Sequence, residues 1–335
     1  MRRAPSESPG PVLPSSERRR PWAAVAVAVV LACAACTPDP PPILRVGTNV
    51  WPGYEPLYLA RDLGYLDASI RLVEYSSATQ VITAYRNGAI EAAALTLDEV
   101  LLLAQHGQDP RVILVMDISH GGDAIVGVPS LRRLADLKGR RVGVEHTATG
   151  AYVLSRALHL AGLTRADVHS VPLQVDEHER AFREGKVDAV VTFEPVRSKL
   201  LAAGARQLFD SSQIPGEIMD VLVVRRDRLD RHRGHVVALL AGWFRALDDL
   251  HRAPRDVAPR IAKRLRLSVD QVLASYDGLH LPDAAQNRAL LTGDPPELVR
   301  AARRLADVMV AEKLLSKPFD VSPVFDPGPL LGLAP

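Results

Sequence analysis

Residues 43–63 have the sequence ILRVGTNVWPGYEPLYLARDL, and they show the pattern that recurs along the chain. Ile43–Asn49 is short and largely apolar, which predicts a buried strand. Pro52 and Gly53 favour a tight turn after it, and Pro56–Leu63 has the composition of a helix start. A strand, a turn and a helix in this order predict the first half of a parallel βαβ unit.

The same alternation continues through two sets of elements and ends in a helical tail, which predicts an α/β fold. The predicted strands are Ile70–Tyr75, Ala92–Leu95, Arg111–Ile118, Arg141–Glu145, His169–Leu173, Asp188–Phe193 and Met219–Arg225. The predicted helices are Ala78–Asn87, Leu97–Gln105, Ala151–Ala161, Glu177–Arg183, Pro195–Ala203, Val236–Leu250, Asp256–Arg266, Val269–Tyr276 and Pro296–Leu315.

Two apolar stretches, Gly122–Gly127 and Asp220–Val224, lie at the edges of the second set. They are the expected crossovers by which the chain enters a second lobe and returns, and the strand Met219–Arg225 is the expected return hinge. This arrangement predicts a hinged molecule with a cleft between two lobes. The expected lobes are residues 43–122 together with 222–335, and residues 123–221.

The N-terminus has the features of an export signal. Three arginines, Arg18–Arg20, precede the apolar run Ala23–Ala32, which is shorter than the roughly 20 residues that a membrane-spanning helix needs. This combination is typical of a secretory signal peptide. The pair of arginines also leaves export by the general or by the twin-arginine route open.

The only two cysteines of the chain, Cys33 and Cys36, follow this apolar run. Val30-Leu31-Ala32-Cys33 resembles a bacterial lipobox, and either cysteine is a candidate for lipidation. A plain cleaved signal peptide and a disulfide between the two cysteines are the alternatives. We expect a lipoprotein signal over residues 1–36, a proline-rich tether over residues 37–42, and a location in the periplasm or at the outer face of the cell membrane.

Composition and missing motifs exclude several function classes. The 335 residues carry a formal net charge of +2, with no block of like charges in the body, so no nucleic-acid partner is expected. The body has no cysteine, and no phosphate-binding loop, HExxH or G-x-S-x-G motif occurs. Asp176–His178, His232 and His235 are expected on solvated helix faces. We therefore expect no metal, cofactor or catalytic residue, and a monomer.

Ligands of open α/β sheets bind beyond the carboxyl ends of the strands. The residues at these ends and at the bends beside the expected cleft are therefore the candidate ligand contacts. They are Trp51, Tyr54, Thr96, Ser119, His120, Asp123, Thr147, Thr149, Glu194, Glu217 and Asp220.

Several candidates have two interpretations. Trp51 and Tyr54 flank the Pro-Gly turn, where their rings can stack on a ligand, but Trp51 could instead pack under the first helix. Thr96 could cap the following helix, face the cleft, or do both. His120 and Asp123 could be ligand contacts, hinge residues or a proton-transfer pair.

The chain resembles the nitrate/sulfonate/taurine-type solute-binding proteins of ABC transporters between Leu44 and Val224. The segments that carry the resemblance are Val46–Gly64, Arg86–Thr96, Leu137–Val144 and Gly185–Pro195. The resemblance implies a type II periplasmic-binding-protein fold, closure around one small ligand, and docking to a permease and, through it, an ATPase. The cleft loops of the family fall on Trp51, Tyr54, Thr96, Ser119, Thr147, Thr149 and Glu194.

The candidate contacts are rich in carboxylates and include no arginine or lysine. A simple anion such as nitrate is poorly served by such a site. Our hypothesis is therefore a zwitterion or a neutral ring, sulfonate- or taurine-like or pyrimidine-like. Its acidic group would lie at Thr147–Thr149, and its amine or N–H group at Glu194. An exported enzyme that uses His120 and Asp123, and a sensory binding protein that serves a receptor, are the alternatives.

Overall fold

The computed structural model describes residue 10 and residues 42–333. The expected signal peptide with Cys33 and Cys36, and the tether apart from Pro42, lie outside the described residues. No helix in the described part of the chain combines the length and the apolar character needed to cross a bilayer.

The described residues alternate strands and helices before a helical C-terminal part. The strands are β1 Leu44–Thr48, β2 Ile70–Glu74, β3 Ala92–Thr96, β4 Pro110–Ser119, β5 Asp123–Gly127, β6 Arg141–Val144, β7 His169–Pro172, β8 Ala189–Phe193, β9 Arg206–Asp210, β10 Met219–Arg225 and β11 Leu279–His280. The helices are α1 Glu55–Asp62, α2 Ala78–Arg86, α3 Leu97–Gln105, α4 Thr149–Leu160, α5 Val175–Arg183, α6 Val196–Ala202, α7 Arg226–Arg252, α8 Pro254–Leu265, α9 Val269–Ser275, α10 Ala284–Leu291, α11 Glu297–Ala311 and α12 Gly328–Leu331.

The strands form two separate sheets. The first has six strands in the order β11-β4-β10-β3-β1-β2, and β1 pairs in parallel with β2 and β3. Every residue of β3 is buried, as expected for a parallel strand that is covered on both faces. The carboxyl ends of β1 and β3 therefore point the same way, and the loops that follow them meet at one edge of this sheet.

The second sheet has five strands in the order β7-β6-β8-β5-β9. Strands β6, β7 and β8 are parallel, whereas β5 runs antiparallel to β8 and β9. The sequence pattern did not predict β9, because Arg206–Asp210 is mostly polar. Its position at the edge of the sheet explains that composition, since an edge strand is only partly covered.

The chain passes between the sheets twice, through residues 120–122 and residues 211–218. The second position corrects the sequence-based expectation. Met219–Arg225 is a strand, as predicted, but it is central in the first sheet, paired with β3 on one side and β4 on the other, so the return crossing precedes it. The first sheet therefore resumes at Met219 and not at residue 222. The hydroxyls of Ser119 and Ser211 lie 2.8 Å apart and tie the two crossings together.

The C-terminal part is helical, as expected, but its first helix is longer than predicted. Helix α7 has 27 residues and begins at Arg226 instead of Val236. His232 and Val236 lie on its buried face, so the expectation of a solvated His232 was wrong. Helix α10 and the short strand β11 were also not predicted.

Candidate functional site

A cavity with about 540 Å³ of empty volume, its mouth included, lies between the two sheets. Loops and strand ends from both lobes form its walls. The lining residues are Asn49, Trp51, Tyr54, Ala78, Thr96, Glu99, Asp123, Glu145, Ala148, Thr149, Gly150, Val153, His178, Val191, Thr192, Phe193 and Asp220.

The turn after β1 brings two aromatic side chains into the cavity wall. Trp51 and Tyr54 are buried and line the cavity. The indole N–H of Trp51 donates to Asp117 Oδ2 over 3.0 Å, and its ring meets Phe193 edge-on, with centroids 5.4 Å apart. A Cβ on Gly53 would lie 1.8 Å from Asp117 Oδ2, so only glycine lets the turn pass this close. Trp51 therefore lies in the cavity wall and does not only pack under the first helix.

The start of helix α4 is already occupied by carboxylates of the first lobe. The backbone N–H of Thr149 donates to Glu99 Oε1 over 3.2 Å, and the Thr149 hydroxyl lies 3.1 Å from Asp98 Oδ1. The hydroxyls of Thr96 and Thr149 are also hydrogen-bonded across the cleft. The expected site for an acidic ligand group at Thr147–Thr149 is therefore already hydrogen-bonded to carboxylates of the protein at Thr149.

Three buried aspartates lie beside the aromatic residues: Asp117 and Asp220 on neighbouring strands of the first sheet, and Asp123 at the start of β5 in the second sheet. Asp220 on β10 pairs in register with Asp117 on β4 and accepts a hydrogen bond from the Tyr54 hydroxyl. Burial and then the charge of Asp117 raise the pKa of Asp220 well above its usual value. Burial raises the pKa of Asp117 to about 7 and that of Asp123 to about 6. Because burial penalises the charged form, these groups hold protons more tightly than exposed carboxylates do.

Glu99 is another buried carboxylate of the cavity lining with a raised pKa. Burial, followed by the charge of Asp98, raises the pKa of Glu99 to about 8. Its Oε2 accepts from the backbone N–H of Thr96 over 3.0 Å, and Thr96 and Glu99 form a capping box at the start of α3. The Thr96 hydroxyl also reaches Thr149 across the cleft, so Thr96 has both of the roles considered for it.

His178 lines the cavity although the sequence analysis placed it on a solvated face. It is 1% exposed, and burial lowers its pKa to about 4, so the ring is neutral at pH 7. Nδ1 lies 3.2 Å from the Thr192 hydroxyl, while Nε2 has no partner. The signal that could have located it is the spacing of Val175, His178 and Ala181, which places them on one buried face of α5.

Six of the eleven candidate contacts line the cavity: Trp51, Tyr54, Thr96, Asp123, Thr149 and Asp220. The structure does not bring the other five to it. The Ser119 hydroxyl is turned to Ser211 at the crossings, and the side chain of His120 is exposed. The Thr147 hydroxyl lies at the exposed mouth of the cleft, 2.6 Å from the Thr79 hydroxyl.

The two glutamates among these five already have partners outside the lining. Glu194 is ion-paired with Arg197, at 2.8 Å, and accepts from the Ser198 hydroxyl. Glu217 is paired with Arg156, at 2.7 Å, and accepts from the Tyr152 hydroxyl. Glu194 is therefore not available for the expected contact with a ligand amine. Successive side chains along an extended chain point to opposite sides, and here it is Phe193 that lines the cavity.

The comparisons with known proteins identify the family. The model of the NMT1-like family matches residues 37–266, which is more than half of the chain. The chain belongs to the NMT1-like family. Two relatives of this NMT1-like protein come from Escherichia coli (strain K12). The putative aliphatic sulfonates-binding protein is 26% identical over 264 residues, covering 77% of this chain and 79% of the relative. The taurine-binding periplasmic protein is 25% identical over 168 residues, covering 49% and 52%.

A solved structure agrees with the architecture. The alkanesulfonate-binding protein SsuA from Xanthomonas axonopodis pv. citri, bound to MOPS, superposes with a TM-score of 0.72 at 22% identity. The match covers 87% of this chain and 99% of that structure. The NMT1-like protein therefore has the two-sheet α/β fold of periplasmic binding proteins. The resemblance to sulfonate- and taurine-type binding proteins and the expected fold class are confirmed.

Proposed function

We propose that this NMT1-like protein is the extracytoplasmic solute-binding component of an ABC importer and closes around a small organic solute. The observation that carries the proposal is the cavity between the two sheets, which two crossings join in the described part of the chain. Sites between lobes of this kind bury most of a small ligand while a few polar groups orient it. The binding proteins among the relatives support the same role.

Hydrogen bonds across the mouth support a closed, ligand-holding conformation. The backbone N–H of Thr79 in the first lobe donates to Glu145 Oε1 over 2.8 Å. The hydroxyl of Ser77 donates to Gln174 Oε1 over 2.8 Å. Both contacts break if the lobes separate, so they act as latches that favour closure. Closure by hinge motion about residues 120–122 and 211–218 follows from this arrangement.

The proposed partners are one small-molecule ligand, a permease and, through it, the ATPase, with the protein itself a monomer. A lipid on Cys33 or Cys36 would hold the protein at the outer face of the membrane. Labelling of the exported chain with an alkyne fatty acid tests the anchor. We expect one of the variants Cys33→Ala and Cys36→Ala to abolish labelling and the other to retain it. Full labelling of the double variant would contradict lipidation.

Native mass spectrometry of the exported protein, followed by denaturation, tests the function itself. We expect one small organic molecule to be released per chain, and small-angle scattering to show a more open particle after its removal. A chain that never carries a ligand and keeps one shape would contradict the proposal.

The enzymatic alternative relied on His120 and Asp123 acting as a pair, and the two side chains lie in different environments. His120 is exposed, whereas Asp123 is buried in the cavity wall. We propose no catalytic step, and recovery of the co-purified molecule unchanged after long incubation is the expected result. Its conversion to a product by the purified protein would favour an enzyme instead.

A further inference from the structure

The lining of the cavity suits a cation better than a sulfonate. We propose that the ligand is a compact organic cation with N–H donors, of the ammonium or amidinium type, held by Asp123, Asp220 and the aromatic wall. This inference rests on the proposed solute-binding function and names the chemical class of its ligand. Among the described residues that line the cavity are four carboxylates, Glu99, Asp123, Glu145 and Asp220, and neither lysine nor arginine.

Unpaired buried atoms show where the ligand donors would bind. Asp123 is 7% exposed, and its Oδ2 has no hydrogen-bond partner. His178 Nε2 also lacks a partner, and this ring nitrogen is an acceptor when Nδ1 carries the proton. Buried polar atoms are nearly always paired. Both residues line the same cavity, so a ligand N–H that reaches them would complete the site.

The aromatic wall fits the same ligand class. Trp51, Tyr54 and Phe193 line the same cavity as Asp123 and Asp220. Aromatic rings attract organic cations through their negative faces. Carboxylates together with aromatic rings therefore favour a nitrogen cation, while the N–H donors distinguish an ammonium or amidinium from a quaternary ammonium group.

A sulfonate has no comparable place. The helix start that would receive its oxygens is occupied by Asp98 and Glu99, as the contacts to Thr149 show. Any oxyanion in the cavity would also lie near the carboxylate of Asp123, and like charges in a buried site repel strongly. The described cavity lining contains acidic residues and neither lysine nor arginine, which is the opposite of what an anion-binding site requires.

Matched ligands on one carbon frame test the charge preference by titration calorimetry of the exported, ligand-stripped protein. The first series is ethanolamine, taurine and isethionate, and the second is benzamidine and benzenesulfonate. We expect the cation of a series to bind about tenfold or more tightly than its sulfonate, with zwitterionic taurine between them. Equal or tighter binding of isethionate or benzenesulfonate would overturn the inference while leaving solute binding intact.

Asp123→Asn tests the named residue, and Asp307→Asn on the exposed face of α11 is the control with the same charge change. We expect the first variant to lose about 10–100-fold in affinity for the cation, and the control to lose none. A circular-dichroism melt checks folding of both. Unchanged affinity of a folded Asp123→Asn protein would contradict the proposed contact.

If no compound of either series binds, the molecule released from the native protein decides. A released amine or amidine supports the inference, and a released anion without a nitrogen cation overturns it. A protein that neither binds any of these compounds nor carries a ligand would contradict the proposed function, and the inference with it.

Discussion

Buried carboxylates occur at two places in this protein, in a structural cluster of Glu55, Arg264 and Tyr58 and in the lining of the cavity, and their charges are compensated in different ways. Glu55, which is 1% exposed, is paired with Arg264, whose Nε lies 2.9 Å from both of its carboxylate oxygens. The guanidinium also stacks on Tyr58 at 3.5 Å from the ring centre. The carboxylates of the cavity have no such cation. The first group is complete within the protein, whereas the second needs a proton or a ligand.

The pKa shifts express the same contrast. Burial raises the pKa of Glu55, but hydrogen bonds and charge from Arg264 oppose that shift. For Glu99 and Asp220, burial and a neighbouring carboxylate act in the same direction. A buried ion pair that is intact contributes to a defined structure, while an uncompensated buried charge destabilises the protein. The comparison therefore separates a structural cluster from a binding site.

Removing the cation of the structural cluster should have the largest effect. We expect Arg264→Ala to lower the free energy of unfolding by about 3–5 kcal/mol, because Glu55 is left buried and unpaired. Urea denaturation measures the change, with Arg260→Ala on the exposed face of the same helix as control. A loss close to that of the control would show that water or another group compensates Glu55.

The pH dependence of the ligand-free protein should reveal the buried carboxylates in and beside the cavity that have no cationic partner. A carboxyl with a raised pKa in the folded protein stabilises it at low pH, and this contribution is lost as the pH rises through the folded value. Between pH 6.5 and 8.5, Glu99 and Asp117 deprotonate. His178 acts in the opposite direction, but only below its ordinary value of about 6.5.

We therefore expect the free energy of unfolding of the ligand-free protein to fall by about 1–3 kcal/mol over that interval. Glu99→Gln should flatten the profile, because it removes the group with the pKa of about 8. Urea titrations at several pH values measure both. A stability that rises over this interval would contradict the assignment of raised pKa values.

Asp123→Asn should have a smaller effect, of opposite sign to that of the structural cluster. We expect the ligand-free variant to be more stable than the parent by about 1 kcal/mol at pH 8, since a buried charge without a partner is removed. Comparison of the melting temperatures of the ligand-free variant and the ligand-free parent at pH 8 measures it. A marked loss of stability would indicate that Asp123 has a structural partner instead of a binding role.

The smallest effect is expected outside the cavity. His120→Ala should leave ligand affinity within about 0.5 kcal/mol of the parent, because the side chain is exposed and does not line the site. Titration calorimetry with the ligand recovered from the native protein measures the difference. A loss of tenfold or more in affinity would restore His120 as a contact.

Much of the fold was predictable from local pattern, since alternating apolar runs and glycine-ended helices record burial and chain reversal. Strands such as β3 and β8 were located within a residue or two. The polar edge strand β9 was missed, and Met219–Arg225, although predicted as a strand, was also expected to be the return hinge. Apolar character shows that a strand is buried, but it does not show which sheet the strand joins.

The candidate site was predicted in part for a similar reason. Trp51, Tyr54 and Asp220 were found because they lie at or beside strand ends. Phe193 was passed over for its neighbour Glu194, because the strand-end rule does not state which of two successive side chains faces the cleft. Glu99 was not among the candidates, since its contact with Thr149 is 50 residues away in sequence.

The sequence by itself determined the order of strands and helices and the acidic, aromatic character of the loops. Both follow from residue type and short-range spacing, which act within a few residues of the chain. Only the tertiary structure decided which carboxylates are compensated. It placed Arg264 beside Glu55, 209 residues away, and placed Glu99 and Thr149 in contact across the cleft. Charge compensation depends on distance and burial, and these are set by how the two sheets pack.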